Sequence, residues 1–431
     1  MHTSQQDLPP HYRRNFAAFL VEYVFFDLSI SFVGFTSVVP TFLRQLTDSA
    51  PLVGLATTLF HGGFQWPQAL FAHLTRRHLR KKPIMMWGAI GRVFLWLVAL
   101  ALWAGLGRYP AAMLALFLLG ISIFALTDSL VTVQWFEVMA RAIPSHRRGR
   151  LFGLAQVISG VAGIGVGTLV GRILSASYRR PLTGYALLFT LSGAAMLVAT
   201  VALALIKEPA PEEVDPEAHT RASWLSIVAR DPAFRRFVLC RLLLSGVDLA
   251  TPFYVVHAQD ALRLPASRIG AFVIAQTLGA IAGSVLFGAA SERWGSRAVT
   301  RAASLLAPAG PLLALVIHLS GGGWPVLLYP LIFAVLGVMY SAWILGFINY
   351  SQDIAPEGLR PAYVGLTNTI FGLTTLMPTL GGWLLQSFSY TVLFASAAAL
   401  GALGTLTAVW LKPTPKKVHA EPELLRSQAG I

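Results

Sequence analysis

The chain alternates long apolar segments with short polar ones. An apolar run of about 20 residues is long enough to cross the hydrocarbon core of a bilayer as a helix. Twelve segments reach this length, and the pattern therefore predicts an all-α membrane protein with twelve transmembrane helices. Their approximate limits are 16–40, 52–72, 83–106, 111–139, 151–174, 183–206, 234–258, 268–290, 298–319, 325–348, 361–386 and 389–411.

Polar stretches divide this pattern into five parts. A polar N-terminal segment, 1–15, precedes a first set of six helices, 16–206. The stretch 207–233 opens with many Pro and Glu residues, a composition typical of a solvated linker. A second set of six helices, 234–411, is followed by a polar tail, 412–431. The first apolar run is followed by many others, so a cleaved signal peptide is not expected.

One stretch of the first half recurs in the second half. Glu137–Leu154 is matched by Gln352–Leu366, with Pro144 on Pro356, Arg148 on Arg360, Gly153 on Gly365 and Leu154 on Leu366. Asp27-Leu28 in the first helix has a counterpart in Asp248-Leu249 in the seventh. Parallel repeats of this kind are typical of transporters, and they predict two pseudo-symmetric six-helix bundles that rock about a site between them.

Composition supports a membrane protein. The 431 residues are 55% hydrophobic and 12% charged, with a mean hydropathy of +0.64. A soluble protein carries about twice that charged fraction. The net charge of +14 would suggest a nucleic-acid partner in a soluble protein. Here we expect no nucleic acid, because basic loops on one face of a bilayer account for the charge.

The positions of the basic residues predict the orientation. With both termini in the cytoplasm, seven Lys and Arg residues fall on the outer side and two fall inside helices, which leaves 24 of 33 on the cytoplasmic side. This asymmetry fits the positive-inside rule. The sequence therefore predicts a multi-pass protein of the cell membrane with cytoplasmic termini. The seven outer residues are Arg44, Arg108, Arg172, Arg179, Arg180, Arg263 and Arg268.

The loop after the eighth helix resembles a motif of the major facilitator superfamily. It reads Gly288-Ala-Ala-Ser-Glu292-Arg293-Trp-Gly295-Ser-Arg297, which is similar to the family's Gly, acid, Arg, Gly and basic pattern. The resemblance implies two six-helix bundles, alternating access, and gating roles for Glu292 and Arg293. In the N-terminal counterpart Arg76 stands in place of the acid and Leu79 in place of glycine, so that gating role is not carried over to this half.

Glycines predict two places where helices pack closely. Gly163, Gly167 and Gly171 recur at four-residue spacing in the fifth helix, so they share nearly one face and allow close backbone approach. In the eleventh helix, Pro378 and the pair Gly381-Gly382 are similar to a Pro-x-x-Gly-Gly element of exporters in the superfamily.

Four polar residues are predicted near the middle of the N-terminal bundle. Asp27, His61 and Asp128 each lie 11 residues from the expected cytoplasmic end of their helix, roughly 16 Å deep, and Arg92 lies nine residues in, roughly 14 Å deep. Because charges inside a bilayer are costly, they usually have partners. We expect Arg92 to pair with Asp128 or Asp27, and His61 to border the same cluster. The alternative is that the pair only locks the bundle together.

Carboxylates and arginines supply candidates for coupling and gating. Asp27 and Asp248 are candidates to carry a coupling proton. Glu22 and Glu137 lie nearer the cytoplasm, where ion pairs with Arg241 or Arg141 would form an inner gate. Arg148 and Arg360, in equivalent loops, are candidates for the same gate or for a helix C-terminus.

The resemblance also implies that helices one, four and seven line the cavity. Aromatic residues on these helices would suit an apolar or amphipathic substrate, although packing between helices is the alternative for each of them. These residues are Phe25, Phe26, Trp135, Phe136, Phe253 and Tyr254. His257 and His318 are interpreted as lone histidines in packing or helix-end positions.

The sequence thus favours a secondary transporter that moves a small molecule by alternating access, with proton-coupled export of amphipathic compounds as its specific form. No Walker-type loop and no metal-ligand spacing is present, so we expect no cofactor and no ATP hydrolysis. The expected partners are a small-molecule substrate, the lipid bilayer and protons. One alternative is a membrane sensor or partner-binding protein on the same scaffold that does not transport. A membrane-embedded enzyme is a third interpretation, and the residues offer it only the midplane cluster.

Overall fold

The computed structural model describes residues 9–210, 231–321, 323–356 and 360–413. Parts of the predicted N-terminal segment, linker and tail lie outside these described residues. The described part is folded into twelve helical units of membrane length. We number them α1 (Tyr12–Val33 and Val38–Arg44), α2 (Ala50–Gln65 and Gln68–Thr75), α3 (Lys82–Trp103), α4 (Pro110–Ala142), α5 (Ser145–Ala176), α6 (Pro181–Leu205), α7 (Pro232–Asp260), α8 (Arg268–Trp294), α9 (Ser296–Leu319), α10 (Val326–Asp353), α11 (Arg360–Gly372, Leu373–Leu376 and Met377–Ser387) and α12 (Tyr390–Ala408).

Each predicted apolar segment corresponds to one of these units, with ends that shift by several residues. Among the described residues, ten units are long and apolar enough to cross a membrane. The other two are α2 and α11. In α2, Trp66 and Pro67 separate segments of 16 and eight residues. In α11, threonines and glycines replace much of the aliphatic content, and this composition suits a helix that faces protein rather than lipid.

Breaks within the helices follow local chemistry. In α1 the first segment ends at Gly34, which has a φ of 49°. This dihedral angle favours glycine, and a Cβ atom there would also lie 2.5 Å from Ser37 Oγ and 3.2 Å from the Val38 nitrogen. Pro67, Pro252 and Pro308 stand at the interruptions of α2, α7 and α9. Proline removes a backbone donor and ends the regular hydrogen-bond pattern.

The ends of the helices define two sides of the molecule. We call the side where α1 begins, α6 ends, α7 begins and α12 ends the terminal side, and the opposite one the distal side. On the distal side one buried apolar cluster runs through both bundles and includes Val39, Phe42, Phe253 and Phe333. On the terminal side the described core is split into one cluster of 18–206 and another of 234–411. The two bundles therefore share a core only in their distal halves.

Candidate substrate cavity

Among the described residues, α5 with α8 and α2 with α11 form the most extensive contacts between the bundles on the distal side. Along α5 and α8, a Cβ atom on Gly270 would lie 2.3 Å from the Gly167 carbonyl oxygen. Gly163 faces Thr277, and Gly171 faces the Ser267 carbonyl. The predicted small face of α5 is therefore used to pack one bundle against the other. Such close approach is possible only between helices without side chains at the crossing.

The second junction is formed by α2 and α11. A Cβ atom on Gly382 would lie 2.4 Å from the Ala50 carbonyl oxygen, and one on Gly381 would lie 1.9 Å from the Leu249 carbonyl oxygen within the C-terminal bundle. Hydrogen bonds also connect α2 to α11. Thr58 donates to the Thr375 carbonyl at 2.7 Å, and Trp66 Nε1 donates to the Gly372 carbonyl at 2.5 Å.

An ion pair crosses the bundle interface at the distal end. Arg44 at the end of α1 contacts Asp260 at the end of α7, with Nη2 2.8 Å and Nε 3.1 Å from Oδ2. Among the described residues no other ion pair joins the two bundles. The sequence interpretation missed this contact because it treated Arg44 only as a loop charge. Their separation of 216 residues offers no local signal.

On the terminal side the same helices separate. Cβ atoms placed on Gly153 of α5, Gly288 of α8 and Gly365 of α11 would meet no described atom within 4 Å. Since Gly153 and Gly288 continue the register in which Gly163 meets Thr277, the gap opens along a single pair of helices. The space between the bundles is therefore closed distally and open toward the terminal side.

The N-terminal bundle contains a cavity of about 200 Å³ formed by α1, α2, α3 and α4. Arg92 at its base donates from Nε to Asp128 Oδ1 at 2.8 Å and from Nη2 to Glu22 Oε1 at 3.1 Å. All three side chains are buried. The predicted pairing of Arg92 with Asp128 is thus observed. Its remaining nitrogen, Nη1, has no hydrogen-bond partner among the described residues.

Two other expectations about this cluster, those for Glu22 and His61, differ from the structure. Glu22 belongs to the buried triad and does not meet Arg241 or Arg141 in a terminal gate, because the packing of α1 turns it toward α3. Asp27 lines the same cavity but is exposed to it, and no described Lys or Arg lies within 4.0 Å. The prediction that His61 borders the cluster is wrong, because the face of α2 that carries it is turned to α7 and α11.

His61 lines a second cavity of about 330 Å³ between α2 and the C-terminal bundle. Asp248 also lines it. No described Lys or Arg lies within 4.0 Å of its carboxylate, but the charge of Arg241 in the same wall acts on it. The Tyr254 hydroxyl in its wall is buried without a described hydrogen-bond partner, and the Thr251 hydroxyl lies beside Asp248. The wall thus presents a carboxylate and two hydroxyl groups that a ligand could bind.

Arg241 is held in the wall of the second cavity. Its guanidinium lies 5.0 Å from the ring centre of Phe347 and 5.2 Å from that of Phe371. Nη1 also donates to Ser245 Oγ at 3.1 Å. The expectation that Arg241 meets Glu22 is wrong, since these contacts direct it into its own bundle.

Of the predicted cavity aromatics, some line a cavity and the others pack in the core. Phe26, Trp135 and Phe136 line the first cavity, and the ring of Phe26 lies 5.2 Å from the Arg92 guanidinium. Tyr254 lines the second cavity. Phe25 packs against the distal core, and Phe253 is fully buried in it, so the packing alternative applies to these two residues.

The family follows from a comparison of the whole sequence. The sequence model of the Major Facilitator Superfamily matches residues 23–376 and, in a second alignment, 249–429. The chain belongs to the Major Facilitator Superfamily.

Related proteins and structures agree with this membership. An uncharacterized protein of Mycobacterium tuberculosis is 25% identical over 289 residues, which cover 65% of this chain and 54% of that protein. The chain spans about half the length of the curated relatives it matches. A crystal structure of a D-xylose-proton symporter has a TM-score of 0.72 at 14% identity, covering 94% of this chain and 99% of the other. A bacterial homologue of the iron transporter ferroportin, in an inward-facing state, has a TM-score of 0.71 at 14% identity, covering 93% and 98%.

A charge network connects the helix ends on the terminal side of the N-terminal bundle. Glu137 Oε2 lies 3.2 Å from Lys81 Nζ, and Glu137 Oε1 lies 3.8 Å from Arg141. Glu208 accepts from the backbone of Lys81 at 2.7 Å and from Arg141 Nη2 at 3.0 Å. The expected meeting of Glu137 and Arg141 is thus observed. The prediction of a solvated linker is wrong at its start, because Glu208 is fixed to the bundle.

The remaining gating candidates lie apart from this network. Arg148 donates to the carbonyls of Ala140 at 2.6 Å and Ile143 at 3.0 Å, so it caps the end of α4. Glu292 and Arg293 are exposed and form no ion pair with another described residue. Arg360 begins α11, but its side chain lies outside the described residues.

His257 and His318 contradict the interpretation as lone histidines. His257 Nε2 lies 3.0 Å from His318 Nδ1, and His257 Nδ1 lies 2.9 Å from the Tyr329 hydroxyl. The two histidines are 61 positions apart in the sequence and lie on different helices, so no sequence pattern indicated the contact.

Proposed function

We propose that this protein is a secondary transporter that moves a small molecule by alternating access of its two bundles. The observation that carries the proposal is the arrangement of the interface: the bundles meet along their distal halves, while two cavities lined by charged residues lie between or beside them. Rocking about the glycine-lined contacts of α5 with α8 and of α2 with α11 would close the terminal side and open the distal one. The protein would lie in the cell membrane with its terminal side toward the cytoplasm.

The charges of the lining favour a cationic, amphipathic substrate. Four carboxylates line the two cavities, and only two arginines lie among them. Asp27 and Asp248 are the carboxylates that form no ion pair within 4.0 Å with a described residue, although the charge of Arg241 acts on Asp248. They occupy equivalent positions in the two halves. Aromatic side chains surround both, and aromatic faces attract cations as well as apolar groups. A ligand with one positive charge and an apolar body matches this lining.

The same carboxylates supply a mechanism for proton coupling. A carboxylate in the cavity can bind either a proton or the substrate's cation, and binding of one excludes the other. Release of the cation on the distal side and uptake of a proton there would then drive export. Proton-coupled export is the direction that we propose.

The experiment uses everted membrane vesicles with an acidic interior and ethidium as the amphipathic cation. Ethidium uptake is measured by fluorescence, and proton release is measured with a pH-sensitive dye. We compare the wild type with Asp27→Asn and Asp248→Asn. The matched control is Asp48→Asn, because the Asp48 carboxylate is fully exposed in a distal loop and is bound only weakly to Arg44, at 3.7 Å.

Uptake that depends on the gradient, persists in Asp48→Asn and is lost in one or both cavity variants would support the proposal. Uptake that is unchanged in both cavity variants would contradict the role of the carboxylates. If folded wild-type protein showed no gradient-driven flux with a panel of cations, neutral compounds and anions, transport itself would be contradicted. A stable protein partner in that case would favour the sensor or partner-binding alternative.

A further inference from the structure

A buried chain of hydrogen bonds lies in the distal half of the C-terminal bundle. His257 of α7 is fully buried, and His318 of α9 is half-buried. The two rings are joined by the 3.0 Å contact between His257 Nε2 and His318 Nδ1. His257 Nδ1 lies 2.9 Å from the Tyr329 hydroxyl, which donates to the Tyr254 carbonyl at 2.7 Å. The side chains of His257, His318 and Tyr329 line neither of the two cavities described above.

The hydroxyl of Tyr329 decides the proton positions in the chain. Tyr329 has one hydrogen and gives it to the Tyr254 carbonyl, so its oxygen accepts from His257 Nδ1–H. In the neutral ring His257 Nε2 is therefore an acceptor, and His318 Nδ1–H must be the donor to it. One basic nitrogen then remains, His318 Nε2, on the side of the ring away from His257. The pair can thus bind one additional proton there without losing a hydrogen bond, and a second one would place two N–H groups against each other.

The surroundings connect this position to the distal ion pair. Asp260 follows His257 by one helical turn, and residues three apart lie on the same face of a helix. Tyr390 of α12 packs its ring 4.8 Å from His257 and 5.9 Å from His318. The distal segment of α1 packs against the distal segment of α7, which carries His257, and this packing brings Arg44 to Asp260. Among the described residues, Tyr329 of α10 and Tyr390 of α12 contact the pair, Tyr254 and Asp260 lie one turn from His257 on α7, and Tyr390 is in turn influenced by the charges of Asp260 and Arg44.

We propose that the His257–His318 pair is a proton-binding site of the distal side, separate from the cavity carboxylates, and that its proton weakens the Arg44–Asp260 contact between the bundles. The proton comes from the distal aqueous phase and binds at His318 Nε2, and the charge of the pair changes from zero to plus one. This charge attracts Asp260 and repels Arg44. Acid on the distal side then favours separation of the distal ends.

The proposal rests on the alternating access proposed above, but its test requires no transport. Spin labels are attached to Tyr178→Cys and Phe388→Cys, two exposed distal positions in different bundles, in a Cys240→Ser background that removes the single native cysteine. The full chain is placed in lipid nanodiscs, and the distance between labels is measured by pulsed electron resonance between about pH 8 and pH 5, the range in which histidine changes charge.

We expect the population with the longer distance to increase as the pH falls. His318→Gln keeps an amide donor for His257 but cannot take a proton, so its distance distribution is expected to be independent of pH. His73→Gln, in an exposed position on the terminal side, is the matched control and should behave as the wild type. Asp260→Asn removes the proposed target of the charge and should also abolish the response.

Several results would overturn the proposal. One is a wild-type distribution that does not change with pH. Another is a response that survives in His318→Gln, including one that is lost only in Asp260→Asn, which would assign the proton to Asp260. Loss of the response in His73→Gln as well would point to a non-specific effect of pH. A normal pH response together with no gradient-driven flux for the whole panel of cations, neutral compounds and anions would contradict the proposed transport and support this site independently of it.

Discussion

Gly270 of α8 lies so close to Gly167 of α5 that a Cβ atom on Gly270 would stand 2.3 Å from the Gly167 carbonyl oxygen. The contact joins the two bundles, and the atom that it would meet belongs to the backbone. Neither helix can therefore avoid the clash by changing a rotamer. The interface at this point depends on the absence of a single methyl group.

The first prediction concerns this contact. Gly270→Ala should separate α5 from α8 and lower the stability of the protein by about 1–3 kcal/mol, the usual cost of inserting a group into a packed site. The measurement is thermal unfolding of the purified protein in detergent. Gly288→Ala on the same helix is the control, because its Cβ atom would meet no described atom within 4 Å. Equal melting temperatures for the two variants would contradict the proposed contact.

The second prediction concerns the triad of Arg92, Glu22 and Asp128. Arg92→Gln leaves two buried carboxylates without a cation and should be the most damaging change, with a loss of about 3–5 kcal/mol. Glu22→Gln leaves one carboxylate and one guanidinium at 2.8 Å and should be tolerated better. Thermal unfolding of both variants gives the order.

The control for the triad is Arg108→Gln, a substitution of an exposed distal arginine. It should melt like the wild type. A larger loss for Glu22→Gln than for Arg92→Gln would show that the pairing inferred from the distances does not dominate the energetics of this cluster.

The third prediction concerns the distal ion pair. Ser49 Oγ lies 3.4 Å from Gln386 Oε1 across the interface, so Ser49→Cys with Gln386→Cys in a Cys240→Ser background should be cross-linked by a short bifunctional thiol reagent that spans the length of the lost glutamine side chain. Adding Arg44→Asp should decrease the rate of cross-linking, because it places two acids together. Adding Asp260→Arg as well should restore the rate. Since the pair is partly exposed, we expect an effect of about 0.2–1 kcal/mol on the conformational equilibrium.

A different result would count against the role of this ion pair. If Arg44→Asp and Asp260→Arg each slowed cross-linking and the double variant were slower still, the residues would act independently and not through mutual attraction.

The fourth prediction concerns the terminal opening. Gly153→Cys and Gly288→Cys continue the register of the α5–α8 contact, but their Cβ positions meet no described atom within 4 Å. Because a disulfide requires Cβ atoms about 3.5–4.5 Å apart, this pair should not cross-link in the state described here. Closure of the terminal side should bring the two positions together, so turnover with a transported substrate should produce the cross-link.

The comparison for this experiment is the Ser49 and Gln386 cysteine pair, which should lose cross-linking under the same conditions. If both pairs cross-linked without substrate, the two sides would not open alternately.

The sequence by itself determined the lengths and the depths of the elements in this protein. Apolar runs long enough to span a bilayer predicted all twelve helical units, and the repeat of Glu137–Leu154 predicted two related halves. Counting residues along α3 and α4 placed Arg92 and Asp128 at similar depth, and they meet at 2.8 Å. This works because each residue advances a helix by a fixed distance of about 1.5 Å, so depth follows from position in the chain.

Only the tertiary structure decided which way each helix faces. Glu22 joins Arg92 because of the rotation of α1, and His61 enters the second cavity because α2 packs on α11. Arg44 meets Asp260, and His257 meets His318, across 216 and 61 residues respectively. In an apolar environment most faces of a helix are hydrophobic, so the pattern of residues does not specify rotation. That choice is made by the small residues and polar contacts through which one helix packs against another.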